Sequence, residues 1–499
     1  MKKVILGFFL LLLGLVAVLV FNTLTFESKQ MEVASLDSSS LPSIDKEVIQ
    51  HLSTAVTYPT VSHEGGANFD TAAFLGLHHY IDSTFEQVAT QLKKETVKEF
   101  SLLYTWEGTN PDKKPIILLG HMDVVPAEGK TLESWTEAPF KGTIKDGYIW
   151  GRGTLDDKIS VFGILEAVEQ LIKDGFRPEQ TIYLAFGHDE EIGGTGAEAI
   201  AALLESRGIK AAYAMDEGGL VSSGIVPGIQ NKQVALIGTA EKGYLSVHLQ
   251  VNLDGGHSSM PAKETAIGLL SNAVVKLHES PIPAKLSDPV LDFASYVGPE
   301  MPFVEKMVFA NLWLFERVLI NIYEKSPSGN ATVHTTQVPT IFNSGVKDNL
   351  IPTEANLTMN FRLLPGDSKE EVLEHIKSVI NDERIKVSVV NNVGEATSPS
   401  KSSSDSFKSI QKTITEVYPN TMVSPYLTIA GTDAKHYEHV AEDIYRFLPT
   451  VFDSNDLRRL HGIDERIKTE DYIRAVQFYY QLIRNSQGKS EQKAEIAAE

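Results

Sequence analysis

Two stretches decide the fold: residues 115–126, PIILLGHMDVVP, and residues 181–197, TIYLAFGHDEEIGGTGA. Each opens on a short apolar run that stops at a glycine and gives way to histidine and carboxylates. Between them Ile159, Phe162, Leu165, Val168 and Ile172 recur at helical spacing. After the second comes a helical stretch over 197–206 and a third apolar run over 210–215. This is a βαβαβ rhythm, which places the chain in the α/β class with a mainly parallel sheet covered by helices. Ligands of such sheets sit beyond the carboxyl ends of the strands, where the polar residues of both stretches fall.

Outward from this centre the texture changes near residue 241. Leu245, Val247, Leu249 and Val251 alternate like a half-exposed strand, and the alternation returns over 355–361. A smaller α+β domain is expected over 242–365, inserted between catalytic parts at 44–241 and 366–485. Within it residues 301–322 are unusually apolar, with Phe303, Phe309, Trp313 and Phe315. A core helix is the default reading of that run, and an apolar lid or acyl-chain surface the sharper one. At the start Lys2 and Lys3 precede an unbroken apolar run from Val4 to Phe21. The run reads as a membrane anchor within residues 1–25 that leaves the body extracytoplasmic, because no small-x-small cleavage site follows closely; removal of the segment would make the protein secreted. Residues 26–43 read as a polar stalk and 486–499 as a polar tail.

The 499 residues carry 45 basic and 65 acidic side chains, a formal charge of −20. That excess repels phosphate backbones, so nucleic acid is not an expected partner. There is no cysteine, so a metal site here must use His, Asp and Glu.

Polar groups just past the expected strands matter as a set. In His121-Met122-Asp123, side chains two apart point the same way, so Asp123 can hold the imidazole of His121. Asp156 precedes a helix, where a lone aspartate is equally a helix cap. Glu190 and Glu191 follow the strand ending near Phe186, Asp216 closes the next strand, and His461 lies far downstream in HGID. Anions gathered at strand ends repel unless a cation compensates. Brought to one cleft, His121, Asp156, Glu191, Asp216 and His461 make two metal positions with one bridging Asp. Zinc suits these donors, and cobalt or manganese would serve the same chemistry. Glu190 is then the spare carboxylate that can shuttle a proton.

Seven motifs carry a resemblance over about residues 44–485: GHMDVVP (120–126), WGRGTLDDK (150–158), GHDEEIGGTGA (187–197), MDEGG (215–219), GGHSSMP (255–261), NFRLLPG (360–366) and HGIDERI (461–467). They are similar to those of the dinuclear-zinc aminoacylase and carboxypeptidase family, nearest the branch of carboxypeptidase S and the N-fatty-acyl-amino-acid synthase/hydrolases. The resemblance implies two Zn²⁺ per chain, with His121, Asp156 and Asp216 on one, and Asp156, Glu191 and His461 on the other. It makes Glu190 the general base, with Asp123 behind the first histidine. His257 matches a histidine directed at the reacting oxygen, often across a homodimer interface. Arg362, with Gly431 and Thr432, matches the groups that grip a substrate carboxylate. One departure is Ala430, where the wider family usually has glycine.

The activity this implies is hydrolysis, reversible in principle, of the amide between an acyl or aminoacyl group and an amino acid with a free carboxylate. Hydroxide held between two metals would attack, and the substrate would be an N-acyl amino acid or a short peptide. A catalytically silent, anchored binding protein of the same fold is the competing reading, against which the retained Glu190 argues. The glycines from Gly194 superficially match a dinucleotide fingerprint, but a pyrophosphate there would face Asp189, Glu190 and Glu191.

Overall fold

The computed structural model describes the chain except residues 34–40, 64, 66–68, 227–228, 230–231, 391–393 and 487–499. The serines of the expected stalk, Ser38 to Ser40, and all but the first residue of the expected tail therefore lie outside the described residues. The chain divides into two compact units.

The larger unit comprises Ser28–Thr239, Ser400–Tyr426 and Thr432–Glu499. Its centre is a run of parallel strands in the order Ile182–Gly187, Ile116–His121, Ala211–Asp216 and Ala441–Arg446. Antiparallel pairings extend it on both sides into a ten-stranded sheet, with Val451–Phe452 added parallel to Leu220–Ser223 at one edge. Every residue of Ile116–His121 and Ile182–Gly187 is buried, as continuous apolar strands covered on both faces must be. Helix Thr195–Ser206 seats Ile200 and Leu204 in one core cluster with Ile117, Leu119 and Ala185. Helix Lys158–Lys173 is buried almost all round. Its Gly163 faces the ring of Tyr479 on helix Thr469–Asn485, and a Cβ there would lie 3.2 Å from that ring. These strands and helices fall where the apolar periodicity puts them.

The smaller unit comprises Met1–Glu27, Ala240–Pro399 and Leu427–Gly431. Its antiparallel sheet has the order Thr336–Ser344, Glu354–Leu363, Gly243–Asn252 and Ile385–Val389. Leu245, Val247 and Leu249 stand opposite Phe361, Met359 and Leu357, and helices Ala266–Glu279 and Lys369–Ile380 close this face into a core. The unit runs past the Pro365 boundary expected from the sequence, because Ile385–Val389 pairs with Gly243–Asn252. The apolar run at 301–322 is not a core helix. It forms helices Phe303–Ala310, with no buried residue, and Leu312–Tyr323, which buries Leu319 and Ile320.

Phe162 is fully buried, 5.7 Å from the Phe85 ring and 6.1 Å from the Tyr80 ring. Phe162→Ala is expected to cost about 3–5 kcal/mol, since the cavity would open between helix Lys158–Lys173 and helix Thr71–Thr84 with its capping Phe85. A fall in the urea midpoint at constant slope would check it.

Candidate metal centre and substrate-binding residues

Three parallel strands end side by side at His121, Gly187 and Asp216, and the loops that follow build the centre. His121 is buried, and its Nε2 lies 2.9 Å from Asp156 Oδ1. The other oxygen, Asp156 Oδ2, lies 3.0 Å from His461 Nε2, which is also 3.2 Å from Glu191 Oε2. Asp156 thus presents one oxygen to each histidine, the disposition of a bridging carboxylate. It is not a helix cap: Asp157 holds that position, and its carboxylate accepts from the His121 amide and the Ser160 hydroxyl.

Among the described residues, two groups gather ligand atoms within 4.8 Å of one another: His121, Asp156 and Glu217, and Asp156, Glu191 and His461. The second is the set expected from the sequence. In the first, Glu217 stands where the motif assigned Asp216, whose Oδ1 instead accepts the Glu217 amide at 3.0 Å. Asp216 is the last residue of its strand and belongs to neither group.

The supports are mostly main-chain amides. Asp123 Oδ1 accepts from the Glu190 amide and Oδ2 from the Glu191 amide and the Ser62 hydroxyl. His121 Nδ1 lies 3.0 Å from Asp123 O and 3.3 Å from Asp123 Oδ1. One buried carboxylate therefore orients the first histidine and the strand-end acids together. Glu465, fully buried, does the same for Asp156. Its Oε1 accepts the amides of Gly153, Leu155 and Asp156 at 2.9, 2.8 and 3.3 Å, and its Oε2 pairs with Arg152. Asp189 accepts the amides of Thr195 and Gly196, which takes up the helix terminus that a pyrophosphate would need. Gly187 and Gly194 leave room for the buried Asp433 carboxylate, to whose oxygens an added Cβ would come within 2.4 and 2.0 Å.

The electrostatics describe a centre short of positive charge. Burial pushes Glu190 well above the usual carboxylate range, and Asp433, Glu191 and Asp156 add to the rise. Burial raises Glu217 likewise, with Asp156, Asp157 and Asp216. Hydrogen bonds to Asp156 and Glu191 lift His461 to about 10. Burial opposes a charge on His121, yet Asp123 and Asp156 hold its pKa well up. Glu191 Oε1 is buried with no hydrogen-bond partner among the described residues. Protons held on buried acids and imidazoles, with an orphaned ligand oxygen, are what divalent cations displace, and imidazole with carboxylate is a zinc-type donor set.

The remaining expected residues belong to the smaller unit, except Thr432. Arg362 lies over the Tyr244 ring, 4.7 Å from its centroid. Burial first, then the Arg362 charge, pushes Lys242 down to about 7, and its ammonium donates to Ala331 O and His334 O. His257 sits in a two-residue strand paired with Leu350–Ile351. Its Nδ1 accepts the Ser259 amide at 3.2 Å, which places the neutral ring's proton on Nε2. Gly431 ends the smaller unit's last segment, and Thr432 Oγ1 accepts from the buried Arg446 Nε at 3.2 Å. Sequence reasoning missed Glu217, Asp433, Arg446 and Glu465. Three stand inside or beside motifs it quoted, whereas Arg446 carries no local signal.

Residues 117–485 match the model of the peptidase family M20/M25/M40. The chain belongs to that family. It is 43% identical over 486 residues to the probable carboxypeptidase S-like 2 of Dictyostelium discoideum, covering 96% of this chain and 93% of the relative. It is 38% identical over 440 residues to an N-fatty-acyl-amino acid synthase/hydrolase of Homo sapiens, covering 87% of each. Among solved structures it superposes on the M20 family metallo-carboxypeptidase Sso-CP2 of Sulfolobus solfataricus with a TM-score of 0.62 at 18% identity, over 88% of this chain and 98% of that one. This M20 protein is a metal-dependent amidohydrolase, and its histidines and carboxylates fit that dependence.

Glu465→Gln would turn an amide toward either Arg152 or the amides around Asp156. The variant is expected to fold and to bind zinc roughly 10- to 100-fold more weakly, as losses of ligand-orienting partners do. Titration against a fluorescent chelator checks this, and unchanged affinity would remove the tethering role.

Proposed function

We propose that this M20 enzyme uses two zinc ions to cleave the amide of N-acyl amino acids, and that it does so from a membrane anchor outside the cytoplasm. The observation that carries the reading is Asp156 presenting one carboxylate oxygen to each of two histidines, with Glu190 nearby and in neither ligand group. His121, Asp156 and Glu217 would hold one cation, and Asp156, Glu191 and His461 the other. Such cations make water nucleophilic near neutrality and polarise an acyl oxygen.

The chain's own groups supply the rest. Glu190, pushed up by burial and neighbouring acids, takes the proton from the attacking water and delivers it to the departing nitrogen. His257, with its proton on Nε2, donates to the oxyanion. Arg362, stacked on Tyr244 and joined to no carboxylate by an ion pair among the described residues, receives the substrate carboxylate with Gly431 and Thr432. The same set serves a peptide with a free C-terminus. Names borne by relatives, carboxypeptidase S-like and N-fatty-acyl-amino acid synthase/hydrolase, cover both substrate classes, and the exposed apolar helices of the smaller unit favour long acyl chains.

Retention of the N-terminal helix is supported by its docking on the smaller unit, through Asn22 Nδ2 to Asn311 Oδ1 at 2.9 Å. A homodimer is supported by Thr336–Ser344, an edge strand on which Val338, Ile341 and Phe342 are exposed.

Glu190→Gln is expected to keep its metal and lose activity by roughly 10²- to 10⁴-fold, the range for a general base. Metal content measured beside turnover checks it, and retained turnover would remove Glu190 from the role. In a panel of N-acyl amino acids, their carboxamides and dipeptides, release of amino acid should stop with chelator and rise with acyl length. Blocking the carboxylate should lower kcat/KM roughly 10- to 100-fold, the worth of a charged hydrogen-bonded pair. Dipeptides turned over faster than long-chain amides would move the enzyme to the carboxypeptidase side.

A further inference from the structure

Helix Lys2–Leu24 is exposed along most of its length and buries only Leu19 and Thr23. Leu19, Asn22 and Thr23 share one helical face, and that face meets helix Phe303–Ala310 and the residue that follows it. Asn311 locks the joint. Its side chain is fully buried, accepts from Asn22, and donates to Leu19 O at 3.2 Å and Met307 O at 2.9 Å. Below the helix Phe26 and Phe309 close over Gly298, where a Cβ would lie 2.7 Å from Phe26 and 2.6 Å from Phe309. The end of the apolar helix is thus bolted to the insertion within one compact unit.

A helix that crosses a bilayer with Val4 to Phe21 in the hydrocarbon emerges at this joint. The helices fixed there must then lie at the depth of headgroups and upper acyl chains. Their surfaces suit that depth. Leu314, Val318 and Ile322, four apart on one face, are exposed, as are Phe303 and Val304. Trp313 is 62% exposed, and its indole nitrogen donates to Asn311 Oδ1, an arrangement suited to the boundary where one end of the ring is wet. Glu305 stands beside Lys306 and Glu316 beside Arg317, so the two helices carry no net charge and anionic lipid has nothing to attract it.

We propose that helices Phe303–Ala310 and Leu312–Tyr323 form an interfacial surface that rests in the extracytoplasmic leaflet of a zwitterionic bilayer, beside the helix that spans it. The proposal rests on the anchor reading above. It gives the enzyme a second hold on the membrane by burial of apolar side chains. It also keeps the body against the phase in which long-chain N-acyl amino acids dissolve.

The other tryptophans, Trp106, Trp135 and Trp150, are 7%, 8% and 8% exposed, so Trp313 reports on this surface. The full chain is reconstituted in phosphatidylcholine vesicles, with or without bromine on the acyl chains, and compared with Trp313→Phe. The expected result is that brominated lipid removes half or more of the emission assigned to Trp313, while aqueous iodide has little effect. Quenching by iodide and not by lipid, in chain that stays vesicle-bound through alkaline carbonate, would overturn the surface and leave the anchor standing. Protection from both quenchers would put protein, such as a second copy of the chain, over the face and overturn it equally. Release of the chain by carbonate would remove the anchor reading and the surface with it.

Discussion

Crowded negative charge in a dry place is the constraint on which the larger unit depends. Parallel strands ending at one edge bring Asp123, Glu190, Glu191, Asp216 and Glu217 together with the Asp156 loop, and buried carboxylates repel. The chain answers with main-chain dipoles before it calls on a metal. Asp123 takes the amides of Glu190 and Glu191, Glu465 those of Gly153, Leu155 and Asp156, and Asp189 those of Thr195 and Gly196. The loops around the centre are shaped by the amides they deliver, and the acids left over set the demand for cations.

Much of this was legible in the residues. Fully buried parallel strands announce themselves as unbroken apolar runs, and helix Lys158–Lys173 by its period, because burial on these elements is nearly complete. His121, Asp156, Glu191 and His461 stood out in the sequence because metal chemistry restricts ligand types so strongly, and the fold gathers these four side chains at one place. Glu217 was not weighed beside Asp216, because two adjacent acids in one motif carry no sequence signal that tells them apart. Glu465 was invisible as a support. Nothing local distinguishes a glutamate that binds amides across the fold from one that faces solvent. The smaller unit's boundary was misplaced because strand Ile385–Val389 pairs from the far side of a helix.

The smaller unit relies on different means. Its sheet is half covered, so alternation rather than continuous apolarity marks its strands. Where it needs charge it keeps competitors weak. Lys242 is held in carbonyl contacts and driven toward neutrality by burial, with the Arg362 charge adding to the effect. Arg362 keeps its charge beside the Tyr244 ring, while the Ser259 amide fixes the His257 tautomer.

The tie between Glu465 and Leu155 spans 310 residues of sequence. A chain emerging from the ribosome displays His121, Asp156 and Glu190 long before it displays His461 or the glutamate that steadies the Asp156 loop. Hydrolytic competence is therefore the last thing synthesis confers. An M20 enzyme built in this order gathers its candidate metal centre only when translation has all but finished.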